Sequence, residues 1–366
     1  MIDQNEEMIA LQIGLVGMPG SGKTTLFNLL TGNEKPTGPG GADEVYTGSA
    51  VVPDQRIDYL AQLYRPRKTT CARIEFKDIP GAKMEHSRAR ASRLLDEVRS
   101  ATALVQVVRA FGKTTAMPDG PDPFSDLINY GSELLLADMD TLEKKLARFE
   151  DKACQKGDTS DQIALYRKIL FALENEQPFG SISLSPAEED LLNDQVFLTG
   201  KPLYAVVNID EAQLQSGIYP RKEKVESWAA GKNLPLITVC AQVEMEISRL
   251  EPQEQIEFMK DYDLTESGLG RLARMVYDSL DLISFFTVGE DEVRAWTVRK
   301  GATAPQAASK IHSDISRGFI RAEVFHYDDL YRLGSGQKVK EAGQFRLEGK
   351  DYIVQDGDII SFRFNI

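Results

Sequence analysis

The feature that most constrains this chain lies near its start: Gly17-Met18-Pro19-Gly20-Ser21-Gly22-Lys23-Thr24, a glycine, four residues, then Gly-Lys-Thr. A short apolar strand, Leu11–Val16, precedes it and a helical stretch, Thr25–Leu30, follows. A glycine loop between strand and helix turns successive backbone N–H groups inward as an anion nest, and the helix adds its positive N-terminal end. The spacing therefore predicts that Gly17, Gly20, Ser21, Gly22, Lys23, Thr24 and Thr25 surround the phosphates of a nucleotide. Lys23 should reach the β- and γ-phosphates as a mobile charge. The Thr24 hydroxyl should ligate Mg²⁺, a hard cation that prefers oxygen.

Further strands are expected at Arg73–Lys77, Ala103–Val108, Leu203–Val207 and Leu236–Val239. Most are apolar on both faces, as a parallel sheet covered by helices on each side requires. Strands alternating with helices predict a doubly wound α/β domain. Asp78-Ile79-Pro80-Gly81 follows the second of these strands and has the form DxxG. Asp78 should hold Mg²⁺ through water, and the Gly81 N–H should sense the γ-phosphate. Asn208-Ile209-Asp210-Glu211 stands where a base-reading NKxD motif would. There the Lys stem covers the base and the Asp accepts two N–H bonds from guanine. Ile209 and Glu211 replace them, which displaces one acceptor and weakens any preference for GTP. Asn208 has a plainer reading as the cap of the strand-end turn. Cys240-Ala241-Gln242 is a weaker candidate for a second base-contacting loop.

Almost a hundred residues separate Ala103–Val108 from Leu203–Val207, more than one crossover helix fills. Within that gap Leu135, Met139, Leu142, Leu146 and Phe149 lie at helical spacing in Glu133–Lys156. Ile163, Tyr166, Ile169 and Leu173 do the same in Asp161–Glu174, with Lys156-Gly157-Asp158 as the turn. The simplest object is an antiparallel helical hairpin whose apolar stripes face each other. A third helix should start at Ser185, where Ser185-Pro186-Ala187-Glu188 forms a capping box. Beyond Leu280, strands are expected at Glu292–Val298 and Ile359–Phe364 with a helix at Ala304–Ile315 between them, a small α+β module in which Trp296 reads as core.

No apolar run approaches the ~20 residues that span a bilayer, and the polar, acidic segment Met1–Met8 has no basic leader, so a cytoplasmic location is expected. Net charge is −13, which argues against general binding to nucleic-acid phosphates, DNA included. From Ser284 onward 12 basic residues balance 12 acidic ones, so the excess lies before it. Cys71, Cys154 and Cys240 are scattered and odd in number, reading as reduced thiols. His86, His312 and His326 form no metal-ligand spacing.

Several longer stretches resemble the YchF / Obg-like ATPase family along nearly the whole chain. They are Ser132–Thr141 (SELLLADMDT), Glu292–Thr297 (EVRAWT), Gly301–Ala308 (GATAPQAA) and Gly349–Asp358 (GKDYIVQDGD). The resemblance implies an α/β P-loop NTPase domain of the Ras-like type over residues 1–127 and 200–282. It implies an inserted α-helical coiled-coil hairpin over 128–199 and a C-terminal α+β β-grasp TGS domain over 283–366. It also implies ATP binding at least as good as GTP binding and a ribosome or translation-associated partner. The family usually carries Asn-Val-Gly-Lys-Ser where this chain has Gly20–Thr24, which counts against potassium-assisted activation. Ala82 stands where Ras-like enzymes place a water-orienting Gln, and a compensating histidine of the family falls at Gln106. His86 is a possible substitute, and Thr37 or Ala42 stands at the first-switch magnesium position. These departures predict slow intrinsic hydrolysis; a non-hydrolysing adaptor and a conventional GTP-specific GTPase are the alternatives.

Overall fold

The structure, a computed structural model, describes residues 11–37, 44–81, 88–112, 120–153, 160–192 and 195–365. The expected Lys156-Gly157-Asp158 turn lies outside them, as do Met1–Met8, Ala42, Ala82, His86 and Cys154. The chain divides into two compact units, Met1–Gly48 with Glu75–Gly268, and Ser49–Ile74 with Leu269–Ile366.

In chain order the elements up to the second unit's main body are β1 (Gln12–Val16), α1 (Lys23–Thr31), β2 (Tyr46–Val51), α2 (Gln55–Tyr64), β3 (Lys68–Thr70), β4 (Arg73–Asp78), α3 (Arg88–Ser100), β5 (Ala103–Arg109), α4 (Pro123–Ala153), α5 (Ser160–Glu174), α6 (Pro186–Leu192), β6 (Leu203–Asn208), α7 (Glu211–Ser216), α8 (Lys222–Gly231), β7 (Leu236–Val239), α9 (Ala241–Ile247), α10 (Pro252–Asp261) and α11 (Gly268–Ser279). One sheet has the order β2-β4-β1-β5-β6-β7. The pairings of β1 with β4 and β5, of β5 with β6, and of β6 with β7 are parallel. All seven residues of β5 but Arg109 are buried, which is why the strand is apolar on both faces. Gln106 is the polar exception. With β1 at the centre, chain connections leave it in opposite directions, and the loops after β1, β4 and β6 gather at the carboxyl ends of the strands.

The helix of the insert begins ten residues before the expected Glu133. Asp122 caps it, its Oδ1 accepting from Ser125 N at 3.2 Å, and Pro123 takes the first helical position. The early start has a packing cause. Leu127 joins the core on β5 and β6, while Leu134 joins Val16, Ile79, Leu94 and Val98. Only farther along do Leu142 and Leu146 meet Leu165, Tyr166, Ile169 and Leu173 of α5. The first half of α4 is thus part of the sheet's own cover, and the second half is the hairpin. The Ser185 box forms as expected: Ser185 N donates to Glu188 Oε2 (2.8 Å) and Glu188 N to Ser185 Oγ (3.3 Å).

Between the two halves of α4 sits Asp138, 1% exposed. Its carboxylate accepts from Leu198 N (2.9 Å), Thr199 N (2.9 Å) and Thr199 Oγ1 (2.8 Å). A buried carboxylate with three short donors is satisfied, and it clamps the chain's return to β6. Replacing Asp138 with alanine strands those donors, so unfolding free energy should fall by about 2–4 kcal/mol. Denaturant titration checks this, and a loss below about 0.5 kcal/mol would show that the clamp is not needed.

The second unit continues with β8 (Leu282–Thr287), β9 (Glu292–Arg299), α12 (Ala304–Ile311), α13 (Ser313–Arg317), β10 (Phe319–His326), α14 (Tyr327–Leu333), α15 (Gly336–Glu341), β11 (Arg346–Glu348) and β12 (Asp358–Phe364). Its sheet has the order β11-β10-β12-β8-β9-β3. Phe285, Val298, Ala307, Ala308, Val324 and Ile360 fill its core. Trp296 packs against that core half-buried, its Nε1 donating to Thr287 Oγ1 at 2.9 Å with Arg294 stacked 3.8 Å from its ring. The helix expected over Ala304–Ile315 breaks at His312, which is extended (φ −163°, ψ 141°) and whose Nδ1 caps α13 by accepting from Asp314 N. The strands β3, β8, β10 and β11 were not foreseen. Nor was the placement of Ser49–Ile74 here, where β3 pairs parallel with β9.

Candidate nucleotide site

The loop after β1 owes its shape to glycines at positive φ: Gly17 (130°), Gly20 (78°) and Gly22 (95°). Two are also held by neighbours. A Cβ on Gly17 would lie 2.4 Å from Val107 O, and one on Gly22 would lie 2.2 Å from Asn208 Nδ2. Gly22 caps α1, so Lys23, Thr24 and Thr25 form the first turn and present N–H groups without helical partners. No acidic residue occupies that turn, which leaves the dipole end free to favour an anion.

Lys23 is 6% exposed, and its Nζ donates to Gly17 O (2.9 Å) and Met18 O (3.0 Å). Burial lowers its pKa to about 8, against the opposing pull of Asp78. Asp78, at the end of β4, is 4% exposed and accepts the Thr24 hydroxyl at 2.7 Å through Oδ2. Burial raises the Asp78 pKa, which the Thr24 bond and Lys23 oppose. Asp78 Oδ1 and Ser21 Oγ are buried with no hydrogen-bond partner. A buried carboxylate oxygen beside a hydroxyl is the donor set a hard divalent cation takes, so the residues fit Mg²⁺. Gly81 sits against the loop: a Cβ there would be 2.8 Å from Gly17 O and 3.0 Å from Pro19 Cδ. A cleft of about 200 Å³ lies alongside, lined by Gly17, Pro19, Pro80, Leu94, Tyr130 and Leu134 among others. The larger cleft, about 520 Å³, belongs wholly to the second unit and contains none of the motif residues.

At the end of β6, Asn208 does more than cap a turn. Buried at 3% exposure, it donates from Nδ2 to Ser21 O (3.1 Å) and accepts at Oδ1 from Ala241 N (3.2 Å). It therefore ties the phosphate loop to the Cys240–Gln242 segment. Glu211 opens α7, and its Oε1 accepts from Tyr262 Oη at 2.8 Å, a bond that pushes the Tyr262 pKa up to about 12. Asp210 caps the same helix in a box with Gln213. Ile209, where a base-covering Lys was to be matched, is 4% exposed and packs with Ala110, Val207 and Val225 in the core.

Gln106 is not placed to orient water. It is 1% exposed, and its Nε2 donates to Asp126 O (3.0 Å) and Leu127 O (3.3 Å) in the first turn of α4. Thr37 is exposed at the end of a described stretch. Sequence reasoning missed Arg109 and Tyr262; position alone marked the first, as the residue ending a strand beside the loop. Among the described residues no group of three or more His, Cys, Asp or Glu could hold a metal ion. No described helix is long and apolar enough to cross a membrane.

A parallel sheet with this loop, an Asp after the neighbouring strand and a helical insert defines a P-loop nucleoside triphosphatase fold of the Ras-like type. The YchF-GTPase_C family, described as a protein of unknown function, matches residues 282–365. An ABC transporter model matches residues 10–116, the segment that carries the phosphate loop. The Ribosome-binding ATPase YchF of Bacillus subtilis is 40% identical over 98% of this chain and 100% of its own length. The protein of the same name from Haemophilus influenzae is 38% identical over 98% of this chain and all of its own. The solved structure of the Schizosaccharomyces pombe YchF GTPase is 30% identical, covers 97% of this chain and 98% of that one, and has a TM-score of 0.84. The chain belongs to the YchF family.

Proposed function

We propose that this chain binds Mg-ATP in the loop Gly17–Thr25, prefers it to GTP, hydrolyses it slowly, and reports its nucleotide state to a ribosomal partner in the cytoplasm. One observation carries the reading: Thr24 and Asp78 form a hydrogen-bonded oxygen pair, one buried oxygen still unpartnered, beside a buried Lys23. Thr24 and Asp78 would hold Mg²⁺, which would supply charge neutralisation to the phosphates. Lys23 exchanges its carbonyl partners for phosphate oxygens. Gly20, Gly22, Thr24 and Thr25 would offer backbone donors, while Ser21 N donates to Met18 O (3.3 Å) within the loop. Gly81, packed against the loop at Gly17, would offer its N–H to the γ-phosphate.

Purine preference rests on the β6 end. Guanine reading uses a free, short carboxylate with a lysine beside it. Here Glu211 is engaged by Tyr262, and Ile209 supplies apolar packing. Asn208 braces the loop. Slow turnover is supported by Gln106, which is buried and whose Nε2 is committed to α4. The ribosomal partner is carried over from the relatives' names, and the charge-balanced C-terminal unit, read as a TGS-like module, is the surface we assign to it together with the helical hairpin.

Equilibrium binding of labelled ATP and GTP with Mg²⁺ tests the preference. ATP should bind more tightly, and Glu211→Asp should narrow the gap by roughly tenfold. Tighter GTP binding by the wild type would overturn the ATP preference. Multiple-turnover phosphate release, with Lys23→Ala as the blank, separates a slow enzyme from a silent adaptor.

A further inference from the structure

Arg109 ends β5, paired with Asn208 of β6. Its guanidinium turns back on its own chain: Nε donates to Phe111 O (3.0 Å), Nη2 to Gly112 O (3.4 Å), and the group lies 4.6 Å from the Phe111 ring centroid. Its third nitrogen faces the phosphate loop, since a Cβ built on Gly20 would lie 3.8 Å from Nη1. Among the described residues Nη1 has no hydrogen-bond acceptor and Arg109 has no ion pair. Asp126 is near enough for Arg109 to oppose the burial-driven rise of its pKa, yet makes no such contact. A guanidinium pinned on one edge by two carbonyls, with its other edge over a loop built for phosphate, is preorganised for an anion.

Strand order says which part of the nucleotide it meets. Thr24 and Asp78 lie on the β4 side of β1, and a divalent cation held by them would serve the terminal phosphates. The base-reading segment lies on the other side, at the end of β6. A nucleotide spanning the two would cross the loop near Gly20 with its α-phosphate and ribose. We propose that Arg109 is a nucleotide-contacting residue that binds from the α-phosphate side and contributes equally to di- and triphosphate affinity. The proposal rests on the nucleotide-site reading above.

Mg-ATP and Mg-ADP dissociation constants are to be measured for wild type, Arg109→Gln and Arg109→Lys, with melting of the nucleotide-free proteins followed in parallel. Arg109→Gln should weaken both nucleotides by a similar factor, about 10- to 100-fold, and Arg109→Lys should recover part of that loss while both variants melt near the wild type. Wild-type binding with unchanged affinities in Arg109→Gln sinks the proposal alone. So does a loss confined to ATP, which would put Arg109 on the γ-phosphate. A lysine variant that binds as poorly as the glutamine one while both melt lower would make Arg109 a structural pin for Phe111 and Gly112. A wild type that binds neither nucleotide would overturn the underlying site reading and this proposal with it.

Discussion

Lys23→Ala should lower kcat/KM for ATP hydrolysis by about 10²–10³-fold, the cost of removing one preorganised charge from a transition state dominated by phosphate oxygens. The pH behaviour gives a sharper signature than the loss itself. In the nucleotide-free protein burial holds Lys23 at about 8. Phosphates favour the ammonium, so the bound form has a higher pKa. Above pH 8 the amine must take up a proton to bind, and nucleotide affinity should fall by about tenfold per pH unit. Stability moves the other way. In the unfolded chain the lysine titrates near ~10.4, so between about 8 and that value the unfolded state binds more protons than the native state. Unfolding free energy of the free protein should therefore rise with pH across this window, as the penalty of a buried ammonium is relieved. Calorimetric titration and thermal melts at pH 7 and 9 check both. Lys23→Ala should lose both dependences; a wild-type affinity independent of pH over that range would place the ammonium away from the phosphates.

Asp78→Asn should give the second large effect, with opposite signs for activity and stability. Hydrolysis should fall by about 10²–10³-fold, because Thr24 alone is a poor Mg²⁺ ligand and the charge that draws the cation is gone. Added Mg²⁺ should no longer strengthen ATP binding. The free protein should melt higher. Burial raises the folded-state pKa of Asp78 above its unfolded value, so its ionisation opposes folding at pH above that range. An amide removes that cost and can still accept the Thr24 hydroxyl. A site that is unstable without its ligand and needed with it is expected where function holds a charge in place. Undiminished Mg²⁺ dependence in Asp78→Asn would remove Asp78 from the cation's shell.

Much of the nucleotide cradle is written contiguously. Gly17, Gly20 and Gly22 are legible because only glycine takes those backbone angles cheaply. Lys23 and Thr24 are legible because their distance from the loop is fixed by chain length. Most of the parallel strands show as unbroken apolar runs, each recovered to within a residue or two. Asp78 is legible by its place after the alternating strand expected at Arg73–Lys77.

Other features depend on groups far apart in sequence, and no local pattern encodes them. Asn208 looks like a turn residue until Ser21 O, 187 positions away, is seen beside it. Ile209 reads as a substituted base contact, yet the sheet's side-chain alternation turns it into the core. Asp138 looks like one polar residue on a helix until Leu198 and Thr199 return to it. Gln106 is taken out of consideration by two carbonyls of α4. Ser49–Ile74 joins the C-terminal sheet through backbone pairing of β3 with β9, and hydrogen bonds between main chains carry almost no residue identity. The sequence alone singled out the residues expected around a triphosphate, because that chemistry needs particular side chains at fixed local spacing. Only the tertiary structure decided which of them are free to do so, because burial and distant hydrogen bonds commit a side chain, and both are properties of the packed chain.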